Sequence, residues 1–131
     1  PPYAAASQAS NLSDADAVFI NKLLECIEQN MDDNEYTVEK LSADMAMDRT
    51  GLYRKLMTVI GKTPSAFMRS ARLKRAAELL QQGYTVSEAA YSSGFGTAKY
   101  MSRCFQSEYG MKPSEYLKRY QNNPNHPLSM T

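Results

Sequence analysis

The sequence predicts an all-α protein of about seven helices, in which two helix-turn-helix subdomains are joined by one long linker helix. Three observations favour this class. Apolar residues recur at helical spacing, capping residues and glycines bracket the apolar runs, and one two-helix pattern occurs twice. No stretch alternates apolar and polar residues as a half-buried strand does. No apolar run approaches the roughly 20 residues of a membrane span, so we expect no membrane contact from this fragment.

The chain is expected to open with a linker over residues 1–15, which are rich in Pro, Ala and Ser. The first helix should begin at Asp16, with Ser13 or Asp14 as its cap. Its inward face is formed by five apolar residues at helical spacing: Ile20, Leu23, Leu24, Ile27 and Met31. The segment 16–61 is predicted to hold this helix and the first helix-turn-helix unit.

The first unit is predicted from a capped short helix and a longer one. Thr37 caps the short helix, and a tight connection at residues 46–48 leads into a helix near residues 49–60. Leu52, Leu56 and Ile60 recur every four residues along the buried side of that helix. Gly61 ends it.

The linker helix is predicted over residues 62–82. Thr63 can serve as N-cap, and Pro64 stands at the first helical position, where its missing N–H is harmless. Gly83 follows the last periodic residue. Twenty residues span roughly 30 Å, close to the roughly 34 Å between major-groove openings on one face of B-DNA.

The second unit and a last helix are predicted over residues 83–121. Thr85 and Glu88 form a capping box, and a glycine-containing turn at 94–96 precedes a helix near residues 97–109. Gly110 ends that helix, and Pro113 begins the last one. The remaining residues, 122–131, are expected to form a disordered tail.

The two units are an internal repeat. Thr37 matches Thr85 at an offset of 48, and beyond the turn the offset becomes 49, so that Arg54 matches Arg103. In the same register Gly61 matches Gly110 and Pro64 matches Pro113. A short helix, a tight turn and a second helix form the helix-turn-helix pattern, whose second helix enters the DNA major groove.

Charge is distributed in blocks although the net charge is only +1. Residues 1–48 carry ten acids and two bases, whereas residues 49–77 carry eight bases and no acid. Such asymmetry indicates a polyanionic partner for the middle of the chain. Charge alone fits equally well a solvated basic face that balances the acidic segment.

The exposed positions of the two second helices hold the candidate DNA-binding residues. Short polar groups and arginine are the types that read base edges or bind phosphates. In the first unit these are Arg49, Thr50, Tyr53, Arg54 and Lys55, and in the second Thr97, Ala98, Lys99, Ser102, Arg103 and Gln106. Arg54 and Arg103 occupy equivalent places, and each is expected to pair with a guanine. On the linker helix, Arg72 and Arg75 are expected to contact the DNA backbone. Arg69 falls near the apolar stripe of the linker helix, so we expect a structural role, in which it either snorkels or pairs with an acid of the N-terminal block.

Catalytic and metal-binding chemistry has little support in the sequence. The single histidine, His126, stands in the tail, and Cys26 and Cys104 each lie inside an apolar helical pattern, which predicts buried, reduced thiols. No Ser–His–Asp set and no phosphate-binding glycine loop occurs. We therefore expect no enzyme activity, no cofactor and no metal site.

Three stretches carry a resemblance to a known family: MDRTGLYRKL (47–56), TPSAFMRSARLKRAAELL (63–80) and residues 87–120. Together they make the chain from Phe19 to Tyr120 similar to the DNA-binding domain of AraC/XylS-type transcription regulators. The resemblance implies seven helices and two units in adjacent major grooves. It also implies base contacts at Thr50, Tyr53, Arg54, Ala98, Lys99 and Arg103, which leaves the DNA backbone to Arg49, Lys55, Thr97, Ser102 and Gln106. Pro64, Gly94, Gly110 and Pro113 match the family pattern, and we expect them to be structural. Met101, where the family usually has Phe, and Lys99, often a small polar residue, are departures.

The acidic first helix together with the 47–64 stretch is similar to C-terminal output domains of hybrid two-component sensors of Bacteroides-type bacteria. That resemblance implies upstream receiver and sensor domains, RNA polymerase as a partner, possible dimerisation through the missing domains, and a cytoplasmic location. It also implies that residues 1–15 lead from a receiver. Two alternatives stay open: a fragment of a stand-alone ligand-sensing AraC-type activator, and a helical protein-interaction module that does not bind DNA.

Overall fold

The computed structural model describes residues 12–122, all of whose regular structure is helical. This confirms the expected all-α class and the seven helices. Their bounds are α1 Asp14–Gln29, α2 Val38–Asp44, α3 Arg49–Ile60, α4 Pro64–Gln81, α5 Val86–Ser92, α6 Ala98–Tyr109 and α7 Pro113–Asn122. Within the described part, no helix is long and apolar enough to cross a membrane.

The helix starts follow from the capping residues. Ser13 accepts a hydrogen bond from the Asp16 amide at 3.2 Å, so α1 begins at Asp14, two residues earlier than expected. Thr63 caps α4 with Pro64 in its first turn, and the Thr85–Glu88 capping box is present on α5. Residues 1–11 and the tail beyond Asn122 lie outside the described residues, so the expected disorder of the tail stays a prediction.

Two apolar clusters fill the two units. The first lies among α1, α2, α3 and the start of α4; its fully buried residues include Ile20, Leu23, Ile27, Leu41, Leu52 and Leu56. The second lies among the rest of α4, α5, α6 and α7; it includes Leu73, Ala89, Ala90, Met101, Phe105 and Tyr116. Helix α4 contributes to both clusters, so it is the covalent and packing link between the units.

The internal repeat is visible in the backbone. In the first turn the Met47 amide donates to the Ser42 carbonyl at 2.9 Å, and in the second the Phe95 amide donates to the Ala90 carbonyl at 2.9 Å. These bonds are related by the offset of 48. Gly61 and Gly110 end α3 and α6 in left-handed conformations with φ of 70° and 74°. The two units are therefore built on one local plan.

Candidate nucleic-acid interface

The outward face of α3 presents the three residues expected to read bases in the first unit. Thr50 and Arg54 are exposed, and Tyr53 is 49% exposed, because Leu52 and Leu56 on the opposite side are fully buried. Met57 is also exposed on this helix. Asp48 caps α3 by accepting from the Gly51 amide at 2.6 Å. This face therefore combines one cation with aromatic, thioether and hydroxyl groups.

The outward face of α6 is more basic. Lys99, Arg103 and Gln106 are exposed, whereas Ala98 and Ser102 are half-buried. Met101 and Phe105 hold the other side of the helix in the second core. Thr97 caps α6 by accepting from the Tyr100 amide at 3.1 Å, and its hydroxyl keeps a proton to donate.

A shallow cavity of about 300 Å³ lies between α6 and the start of α7. Its lining residues carry three basic side chains and no acid: Val86, Lys99, Ser102, Arg103, Gln106, Lys112, Pro113 and Ser114. Lys112 and Ser114 were missed by the sequence reasoning. The available signal was that Lys112 directly precedes the proline that begins α7, where free backbone amides favour anions.

Arg72 is not a backbone-contacting residue, contrary to expectation. It is only 5% exposed. Its guanidinium donates to the carbonyls of Met31 at 2.9 Å, Asp33 at 3.1 Å and Ser93 at 3.1 Å. Burial lowers the pKa of Arg72, and Asp33 and Asp32 counteract that shift. An arginine remains protonated in such a site, so Arg72 is a buried cation held by carbonyl oxygens.

The partner of Arg69 differs from the expected one. Its side chain is exposed, and it interacts with Tyr100 of the second recognition helix instead of an acid of the N-terminal block. The physical reason is that two cores surround α4, so its buried face is much wider than one stripe. Arg69 occupies one of the few open positions, and Arg72 does not.

Arg75 lies on a different side of α4. Its guanidinium is 3.6 Å from the Glu78 carboxylate, and it lines a depression that also contains Glu28 and Asp32. No residue of α3 or α6 lines that depression. Acidic neighbours oppose a phosphate, so the structure argues against the expected backbone contact of Arg75.

The two backbone candidates of the first unit have contacts within the protein. The Arg49 guanidinium is 3.9 Å from the Glu39 carboxylate, with both side chains well exposed. The Lys55 ammonium lies 4.5 Å from the centre of the Phe19 ring, a cation–π contact. Both side chains remain exposed, so they keep access to a polyanion at the edge of α3.

The four residues expected to be structural lie at a turn and at helix ends. Gly94 adopts φ 84°, and a side chain there would overlap the Arg72 guanidinium. Gly110 ends α6, while Pro64 and Pro113 begin α4 and α7. Gly94, Gly110 and Pro113 therefore lie at the turn and the helix ends on either side of α6, and Pro64 lies at the start of α4.

The remaining reactive side chains, two cysteines and a buried tyrosine, are packed against the rest of the protein. The thiols of Cys26 and Cys104 are free and half-buried, whereas the sequence predicted fully buried thiols. The Cys26 sulfur is 3.9 Å from the Met45 sulfur. Burial raises the pKa of Cys26, and burial together with the bond to Asp44 raises that of Tyr36. Within residues 12–122, no cluster of His, Cys, Asp and Glu could hold a metal.

Comparison with known proteins identifies the architecture. A helix-turn-helix domain model matches residues 41–119. Histidine kinase P4 of Formosa agariphila is 34% identical over 110 residues, covering 83% of this chain and 8% of the kinase. The transcriptional regulator MtrA of Neisseria gonorrhoeae is 31% identical over 87 residues, covering 66% of this chain and 29% of MtrA.

A solved structure adds a complex with DNA. The DNA-binding domain of AdpA, a global transcriptional factor crystallised with a target DNA, superimposes with a TM-score of 0.71 at 26% identity. The match covers 87% of this chain and all of that one. The chain spans less than a third of the length of the histidine kinase and of MtrA.

Proposed function

Because the chain belongs to the AraC/XylS-type family of DNA-binding helix-turn-helix domains, we propose that it regulates transcription by binding double-stranded DNA in a sequence-specific manner. Helix α3 enters one major groove and α6 enters the next on the same DNA face. The observation that carries this proposal is the repeat of an exposed arginine, Arg54 and Arg103, at equivalent positions of two equivalent helices. The domain works by binding, without catalysis or a cofactor.

The base-reading role falls to the outward residues of the two helices. Arg54 and Arg103 each have the planar fork that pairs with O6 and N7 of a guanine. Around Arg54, the methyl of Thr50 and the ring of Tyr53 suit apolar contact with a thymine methyl. Lys99 extends the basic character of α6, and the small side chain of Ala98 lets the helix approach the base edges.

The phosphate-binding role is divided between the edges of the two units and the linker helix. In the second unit the cavity between α6 and α7 suits one phosphate, because Lys112 and Ser114 line it and the basic face of α6 forms its other side. The basic residue of α4 that lies beside α6 is Arg69. We therefore assign to Arg69, in place of Arg72 and Arg75, the contact with the DNA backbone between the two major grooves. The remaining backbone contacts are assigned to Arg49, Lys55, Thr97, Ser102 and Gln106.

The biological setting that fits best is the output domain of a larger signalling protein. The kinase relative supports this setting, because the match covers only a small part of a chain described as a histidine kinase. Upstream receiver and sensor domains would supply the signal and any dimer contacts, and RNA polymerase is the partner that a transcription activator must reach. A chromosomal target places the domain on the cytoplasmic side of the membrane.

The test is selection of bound duplexes from a random pool, followed by footprinting of the selected site. We expect two protected half-turns about one helical repeat apart. Replacing Arg54 or Arg103 by Ala should cost about 1–3 kcal/mol on that site and relax base preference at one position. Lys118→Ala, an exposed cation outside the cavity, is the matched control and should leave the preference unchanged. Equal losses on selected and random duplexes would refute base reading by the arginine.

A further inference from the structure

The connection between α1 and α2 lies against the turn of the second unit, although it belongs to the first. The two carbonyls of this connection that accept from Arg72 are those of Met31 and Asp33, and the third acceptor is Ser93, the last residue before Gly94. A side chain on Gly96 would meet the Asn34 amide at 2.9 Å. Two independent sets of atoms therefore bring the connection and the second turn together.

Arginine suits this junction for a chemical reason. A guanidinium has five donors in a fixed plane, so one side chain can hold several carbonyls at defined angles. A carbonyl buried without a donor is unfavourable, and Ser93 is fully buried. The Ser93 hydroxyl donates to the Ala89 carbonyl at 2.6 Å, which fixes the residue from the other side. The turn is thus held rigidly to Arg72.

Within residues 12–122, no guanidinium donates to the equivalent turn of the first unit. Ala46 stands where Gly94 stands in the second unit, and its side chain is exposed. The apolar clusters of the two units are separate and share only helix α4. Each unit packs on helix α4, and the polar junction adds a direct contact between the α1–α2 connection and the second turn.

We propose that Arg72 is a positioning residue that fixes the angle of the second reading unit relative to the first, and so sets the half-site spacing that the domain accepts. The proposal rests on the proposed function, because it requires both units on one duplex. One inserted base pair rotates a half-site by about 34° and moves it along the axis. Only a rigid pair of units can discriminate against that change.

The experiment uses the whole chain and duplexes in which the two selected half-sites are separated by the selected spacing, or by one base pair less, one more or two more. The wild-type protein should lose at least about tenfold in affinity for each altered spacing. Arg72→Met should bind the selected spacing at least about tenfold more weakly and differ by less than about threefold among the four duplexes. Its affinity for the second half-site alone should be unchanged.

Two further variants make the result decisive. Arg75→Met removes an exposed cation one turn along the same helix and should retain the wild-type spacing profile. Arg72→Lys keeps the charge with fewer donors and should restore part of the discrimination; circular dichroism at the assay temperature reports whether each variant is folded. If Arg72→Met does not fold, the spacing profile of Arg72→Lys decides the question.

The outcomes separate the two proposals. Wild-type spacing discrimination in the folded Arg72 variant would overturn the positioning role, as would an equal loss of affinity for the isolated second half-site. Absence of spacing discrimination in the wild-type protein would also overturn the positioning role, whereas an unchanged affinity for duplexes that lack one of the two half-sites would overturn the proposed two-groove function itself.

Discussion

Gly94→Ala is expected to destabilise the domain far more than the same change at Gly61. Both glycines have positive φ, 84° and 70°, so alanine meets backbone strain at both. That strain is about 1–2 kcal/mol, offset by about 0.4–1 kcal/mol from the smaller entropy of the unfolded chain. Gly61→Ala should therefore cost about 1 kcal/mol, because no atom lies within 4 Å of its new Cβ.

At Gly94 the added methyl group also displaces the Arg72 guanidinium and would lie 2.5 Å from the Met31 carbonyl. Three hydrogen bonds from a charged donor depend on that guanidinium, and each contributes about 1.5–3 kcal/mol. Because the side chain can retain some of them after moving, we expect an additional loss of about 2–4 kcal/mol. The free energy of unfolding in urea, followed by circular dichroism, measures both variants. Equal costs at Gly94 and Gly61 would refute the close packing of Arg72 on the turn.

Three further changes have defined outcomes. Ala46→Gly should raise the stability in the same urea titration by about 0.5–1 kcal/mol, since Ala46 has φ 57° and an exposed side chain; an unchanged or lower stability would contradict the strain argument. Arg69→Ala should make the negative slope of log affinity against log salt concentration shallower by about one, whereas Arg75→Ala should leave that slope unchanged. A shallower slope for Arg75→Ala alone would identify Arg75 as the phosphate contact. Lys112→Ala should also make that slope shallower by about one without altering base preference. A changed base preference would indicate that Lys112 contacts a base edge instead.

Helix positions were predictable because each is specified locally. Thr63 followed by Pro64, and Thr85 followed by Glu88, are patterns of adjacent residues whose hydrogen bonds form within one turn. The internal repeat predicted which residues of the two units are equivalent. The exposed side of α3 and of α6 was predictable for the same reason, since each helix packs against one core and the opposite face is left to solvent.

The roles of the α4 arginines were not predictable by that method. Helix α4 is buried on several sides, so a single apolar stripe does not distinguish an open position such as Arg69 from a closed one such as Arg72. The partners of Arg72 are backbone carbonyls 21 to 41 residues away in sequence. Backbone acceptors carry no residue-type signal, so nothing near Arg72 in the sequence indicates them.

One signal of this junction was nevertheless present in the repeat. The turns of the two units share a positive φ at equivalent positions, yet one position holds Ala46 and the other Gly94. Backbone conformation alone does not require glycine there, because the first turn adopts it with alanine. The requirement at Gly94 comes from its neighbour, whose guanidinium occupies the space of a side chain. A glycine that replaces a tolerated alanine between repeats therefore indicates a close contact specific to one copy, and here that contact joins the second unit to the first.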